Sequence, residues 1–128
     1  DDFVVEYDER LHFTPFRAVT LASEAYDRLR VGFDHAYYLA ACGTAPIPHT
    51  SGRAHNDSAH RDFECPLTPG ECRHRQRAFY DFLKDVLLGG GHDGVPRIIR
   101  ISDLEIGEGK RGSPAALLRE RARWASRA

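Results

Sequence analysis

The chain has 128 residues, 18 basic against 19 acidic side chains for a formal net charge of −1, 41% hydrophobic and 29% charged residues, a balance that suits one soluble globular domain over residues 1–128. No apolar run approaches the roughly 20 residues a membrane span needs, so no membrane role is expected. A sequence pI near 6.7 offers no global positive field for a nucleic-acid backbone, which leaves nucleic acid only a local patch to bind.

The chain lacks methionine, begins Asp1-Asp2 and carries three cysteines. A processed-looking N-terminus with an odd cysteine count predicts a secreted, extracellular protein in an oxidising compartment with one thiol left over. The economical pairing is a Cys65–Cys72 disulfide, with Cys42 buried or free. Two prolines and a glycine between Cys65 and Cys72 favour the compact turn such a ring needs.

In chain order, Phe3–Tyr7 is a β-rich run, and Leu11–Phe13 continues or pairs with it after the Asp8-Glu9-Arg10 turn. Thr14-Pro15 starts a helix over about 15–31, with Phe16, Val19, Ala22, Tyr26, Leu29 and Phe33 spaced three or four apart. Gly32 reads as its stop. His35–Ala41 lacks a polar face, as a central strand covered on both sides would.

Residues 43–67 form a long polar loop with no periodicity, holding Pro46, Pro48, Gly52, His49, His55, Asp57 and His60. Loops of that length are uncommon in compact domains unless functional or mobile. Thr68, Pro69 and Glu71 then form a capping signature for a helix to Leu88, whose Cys72, Phe79, Phe82, Leu83, Val86 and Leu87 should share one buried face. Gly89–Gly91 and Asp93-Gly94 end it. Pro96–Ile101 is a β-branched strand, Leu104–Ile106 a further strand or turn, and Ser113-Pro114 starts a last helix with Leu117, Leu118, Ala122 and Ala125 inward. All three helices thus begin with Ser/Thr-Pro. The order β-α-β-long loop-α-β-α predicts an α/β layered domain with a small mixed sheet. An α+β sheet with antiparallel pairing of the N-terminal hairpin and Leu104–Ile106 is the alternative.

Catalytic and ligand chemistry has the residue types but not the spacing. His49, His55, His60, Cys65, Cys72 and His74 lie close in sequence, yet without the close ligand pairs that preset a zinc tetrahedron. Solvated loop histidines beside a disulfide are the simpler reading, with no metal or cofactor. Cys42 is the best nucleophile candidate, set against the commoner core thiol, and no Gly-x-Ser-x-Gly elbow is present. General acid–base work could draw on His35, His55, His60, Glu64, His92 and Arg97. The Gly89–Gly94 run follows a helix rather than preceding one, the wrong direction for a phosphate loop.

Arginines cluster at Arg73, Arg75 and Arg77, and again at Arg119, Arg121, Arg123 and Arg127 beside Trp124. The near-neutral total favours an acidic protein partner over nucleic acid. The sequence therefore points to a small secreted, non-enzymatic interaction domain of microbial-effector type, which binds a partner protein through His55, Asp57, His60, Arg119, Arg123 and Arg127. A hydrolase or ribonuclease-like enzyme using loop histidines and Arg97 is the alternative, and a zinc-binding module a third. A histidine meeting a carboxylate within hydrogen-bond reach in one pocket would favour the enzyme.

Overall fold

Two strands, β1 (Phe3–Asp8) and β2 (Arg97–Ser102), run parallel in register from Phe3 opposite Arg97 to Asp8 opposite Ser102. The structure is a computed structural model that describes residues 2–47, 69–106 and 111–126. Parallel neighbours need a long crossover, and helices occupy it: α1 (Pro15–Leu21), α2 (His35–Thr44) and α3 (Pro69–Gly89), with 3₁₀ turns at Arg10–His12 and Glu24–Arg28. After β2 come the single turn α4 (Asp103–Ile106) and α5 (Pro114–Ser126). The result is one mixed α/β domain with a small parallel sheet.

Helix starts follow local chemistry. Thr14 accepts a hydrogen bond from the Arg17 amide at 3.2 Å ahead of Pro15, and Ser113 accepts one from the Ala116 amide at 3.3 Å ahead of Pro114. Thr68 lies outside the described residues, but α3 begins at Pro69 as its sequence predicts.

Four expectations are corrected. The helix expected over 15–31 stops at Leu21, because Ser23 adopts extended backbone and its hydroxyl caps a new turn through the Ala25 amide. The strand expected at His35–Ala41 is helix α2, capped by Asp34, which accepts from the Tyr37 amide at 3.0 Å. Its solvent face consists of Ala36, Ala40, Gly43 and Thr44, small residues that hide the periodicity, of which the two alanines favour a helix. Leu11-His12 belongs to the first 3₁₀ turn rather than to a strand, while Leu104–Ile106 takes the turn of its two expected forms, as the helical turn α4. Gly32 ends no helix: its amide donates to the Ile98 carbonyl at 3.0 Å and its carbonyl accepts from the Arg100 amide at 3.1 Å, a one-residue third strand beside β2. A Cβ there would stand 2.8 Å from the Ile98 oxygen and 3.0 Å from the Arg121 oxygen, so glycine is required by close approach.

The apolar core gathers Phe13, Leu21, Tyr26, Phe33, Tyr38 and Cys42, with Tyr38 packed on Phe13 and Phe33 at ring separations of 5.0 and 4.9 Å. The face α3 turns inward is a different matter. It buries His74, Ala78, Asp81 and Asp85, four-, three- and four-residue steps apart, while Phe79 and Leu87 of the expected apolar stripe are 52% and 64% exposed.

Those aspartates surround Arg100, which is fully buried in β2. Its Nε donates to Asp85 Oδ1 at 2.8 Å, its Nη1 to both Asp8 oxygens at 2.8 and 3.1 Å, and its Nη2 to the Asp81 carbonyl at 3.3 Å. Arg17 and the Tyr26 hydroxyl donate to Asp85 Oδ2. One guanidinium thus ties β1, α3 and β2 together, and Arg17 adds α1. A second buried pair joins Arg121 of α5 to Glu105 of α4 at 2.6 Å, with Ser102 donating to Glu105 through its amide and hydroxyl.

Removing one partner of a buried ion pair strands the other charge and costs about 3–5 kcal/mol, a large share of the roughly 5–15 kcal/mol that holds a domain folded. Arg100→Met should therefore lower stability by about that amount, measured by urea denaturation. A loss below about 1 kcal/mol would show that Arg100 is not the centre of the network.

Candidate functional site

The network comes within reach of solvent at His12. The 3₁₀ turn after β1 places it four positions beyond Asp8, with the His12 amide donating to the Glu9 carbonyl at 2.8 Å and the Arg10 amide to Asp103 Oδ2 at 2.9 Å. The turn swings the ring over α3, where Nδ1 lies 3.0 Å from Asp81 Oδ2 and 3.3 Å from Asp8 Oδ1. Both carboxylates are buried, whereas the His12 side chain is 24% exposed. An ionised carboxylate only accepts hydrogen bonds. We therefore assign the proton of the neutral ring to Nδ1, which leaves Nε2 with its lone pair.

His12 lies in the wall of an open cleft of about 510 Å³ along α3, together with Arg73, Gln76, Arg77, Tyr80 and Lys84. Residues 73, 77, 80 and 84 follow helical spacing, which lines them up on one face. Lys84 reaches Glu6 at 3.0 Å across an exposed pair, and Arg77 donates to the Leu11 carbonyl at 3.4 Å. Arg73, Arg77 and the Glu6-paired Lys84 thus stand in a cleft otherwise lined by Gln76, Tyr80, Leu83 and Leu87, with a histidine–carboxylate pair in its wall.

The electrostatics divide the two carboxylates. Burial pushes the Asp8 carboxyl above its ordinary 3.8; Arg100 pulls it down and the like charge of Asp81 raises it again. Burial also acts upward on Asp81, but the hydrogen bond from His12 and the charges of Arg100 and Arg17 outweigh it and hold that carboxyl low. Asp81 is thus the firmly ionised partner of His12.

Asp8, His12 and Asp81 bring three ligand atoms within 4.8 Å of one another, a spacing that could hold a cation. Arg100 already occupies both Asp8 oxygens and stands 3.5 Å from Asp81 Oδ1. A divalent ion would have to share these carboxylates with a guanidinium, so the donor set suits proton transfer better than metal binding.

The residues named from sequence fare differently. His55, Asp57, His60, Glu64, Cys65 and Arg127 lie outside the described residues, as does the expected Cys65–Cys72 disulfide; no disulfide occurs among the described residues. Arg119 and Arg123 are exposed on α5, with Arg123 Nε donating to the Arg119 carbonyl at 3.3 Å. Arg121, grouped with them by sequence, is buried on Glu105 and lies 4.0 Å over the Trp124 ring. Arg97 donates to the Ala125 carbonyl at the end of α5, and His35 bonds the Leu21 carbonyl at 2.8 Å and stacks on Tyr26. His92 is exposed. None of these three joins the cleft. Cys42 is fully buried in the last turn of α2, and burial pushes its thiol up to about 11, so it is a core thiol rather than a nucleophile.

Sequence reading passed over Asp8, His12, Asp81, Asp85 and Arg100. The available signals were the four-residue step from Asp8 to His12 and the Ala78, Asp81, Asp85 stripe in α3. Both were masked by stronger apolar patterns.

Residues 1–113 match the model of a family of unknown function, DUF7255, and the chain belongs to that family. No curated protein and no solved structure matches it.

A carboxylate held low in the folded state contributes stability that is complete above its unfolded value of 3.8 and is lost as pH falls through the lower folded value. The urea midpoint of the wild type should therefore fall between pH 4 and pH 2 more steeply than that of Asp81→Asn. Parallel curves would show that Asp81 is not held ionised by its partners.

Proposed function

We propose that this member of the family is a small acid–base enzyme acting on a phosphate ester held in the α3 cleft. The observation that carries the reading is the His12 Nδ1–Asp81 contact of 3.0 Å in the wall of a cleft bearing Arg73, Arg77 and Lys84. General acid–base catalysis wants a histidine whose second nitrogen is fixed by an acceptor. Charge developing on phosphoryl oxygens wants fixed cations close by.

In this scheme Nε2 of His12 takes the proton from the attacking hydroxyl or water as its oxygen bonds to phosphorus. The ester bond from phosphorus to the leaving oxygen breaks, water protonates that oxygen, and His12 returns its proton to solvent. Asp81 holds the ring's orientation and offsets the imidazolium charge, with Asp8 assisting from 3.3 Å. Arg73, Arg77 and Lys84 bind the phosphate. The role parallels the ribonuclease-like alternative from sequence, but with His12 in place of the loop histidines and Arg97.

A second reading keeps the secreted, effector-like interaction domain, with a Cys65–Cys72 disulfide and an acidic protein partner. It is favoured by the exposure of Phe79 and Leu87 on α3 and of Arg119 and Arg123 on α5.

Hydrolysis of bis(p-nitrophenyl) phosphate should drop about 10²–10⁴-fold in His12→Gln, with the circular dichroism spectrum unchanged. Equal turnover in both proteins would remove His12 from the chemistry. For the second reading, denatured, unreduced protein should take up a single thiol label, at Cys42; three labels would exclude the disulfide.

A further inference from the structure

The cleft's cations do not stand alone. Tyr80, in the wall of the cleft, and its chain neighbour Phe79 are 53% and 52% exposed, with ring centroids 6.3 Å apart and planes tilted by 42°. With Leu87, which also lines the cleft and is 64% exposed, they add apolar surface beside the cations, and contiguous apolar patches rimmed by polar residues mark interaction sites. Gln76 Nε2 lies 3.5 Å from the Tyr80 hydroxyl, and the Arg75 guanidinium sits 5.1 Å over the Phe16 ring. The cleft flank of α3 thus sets Arg73, Arg77 and Lys84 beside the exposed Tyr80 ring, with Phe79 next to it, whereas Asp81 and Asp85 are buried and paired with His12, Arg17 and Arg100.

We infer that this surface binds single-stranded RNA, a conclusion that rests on the acid–base reading of His12 and names its substrate class. A positive groove tracking a backbone, with aromatic platforms on which bases stack, is the physical signature of single-strand binding. At 1.5 Å per residue, Arg73 and Lys84 stand about 16 Å apart along the helix, enough for several nucleotides. An acidic protein would match the cations but leave Phe79 and Tyr80 without stacking partners. RNA also supplies the nucleophile that a lone histidine can use. His12 Nε2 takes the 2′-hydroxyl proton, the 2′ oxygen bonds to the adjacent phosphorus, and the bond from phosphorus to the 5′ oxygen breaks. Water protonates that oxygen and His12 returns its proton to solvent, leaving a 2′,3′-cyclic phosphate and a 5′-hydroxyl end. No oxidant or co-reactant is needed.

The test uses a fluorescein-labelled 12-residue oligouridylate, in 2′-O-methyl form for binding by anisotropy and unmodified for cleavage. Phe79→Ala and Tyr80→Ala should each weaken binding about ten-fold. The salt slope should be about −2 for phosphate contacts to Arg73, Arg77 and Lys84, falling by about 0.7 for each cation removed. His12→Gln should bind as the wild type does without cutting. Absence of binding, binding indifferent to both aromatic substitutions, or displacement by poly-glutamate as readily as by unlabelled oligouridylate would overturn the inference. A strand bound with these dependences but left uncut by the wild type would uphold the RNA surface and overturn the acid–base reading. His12-dependent hydrolysis of bis(p-nitrophenyl) phosphate without strand binding would do the reverse.

Discussion

Arg100 is the constraint on which the rest of the structure depends. A guanidinium buried without partners would be prohibitively costly, and three aspartates from two elements converge on this one. Each carboxylate in turn fixes the element that carries it. Asp8 sets the end of β1, Asp81 and Asp85 set the roll of α3 about its axis, and Arg17 with Tyr26 locks α1 and the following turn to Asp85. Buried ion pairs are weak sources of net stability compared with apolar packing. A layout this charged therefore reads as one kept for what it positions.

What it positions is His12 and the outward side of α3. Because Asp81 and Asp85 face the sheet, the adjoining flank of the helix carries Arg73, Arg77, Tyr80 and Lys84 beside Asp81, and because Asp8 ends β1, the next turn delivers His12 to the same edge. One rotation of one helix thus accounts for both the buried network and the exposed cationic surface. Near-neutral net charge is compatible with such a surface because the cations Arg73, Arg77 and Lys84 are placed together locally, while Asp8, Asp81, Asp85 and Glu105 are buried with Arg17, Arg100 and Arg121.

A second, smaller network does comparable work at the other end of β2. Glu105 accepts the Ser102 amide and hydroxyl and binds Arg121, which stacks over Trp124. It pins α4 and α5 against the strand, leaving Arg119 and Arg123 at the surface. Gly32 completes that side of the sheet by bonding β2 where no side chain would fit. The two-stranded sheet is thus held on β2 by backbone contact and buried charge, and on β1 by Asp8.

Local rules made much of this legible in the sequence. The Ser/Thr-Pro starts of α1 and α5, Pro69 at the head of α3, the β-branched run of β2 and the mixed α/β class all follow from capping, propensity and period, which act over a few residues. The same rules misread His35–Ala41, since small exposed residues blur a helical period, and extended the first helix past Ser23. Hydrophobic patterning assumes that apolar residues go inside, so it put Phe79 and Leu87 of α3 inward along with Phe82, which does pack on the core, and missed Asp81 and Asp85. The choice between Phe79 with Leu87 and Asp81 with Asp85 was made by Arg100, some 15 or more positions away in the chain. Only the tertiary structure decided that choice, and with it the meeting of Asp8, His12 and Asp81, because a charge is tolerated in the interior only when its partner arrives from elsewhere in the fold.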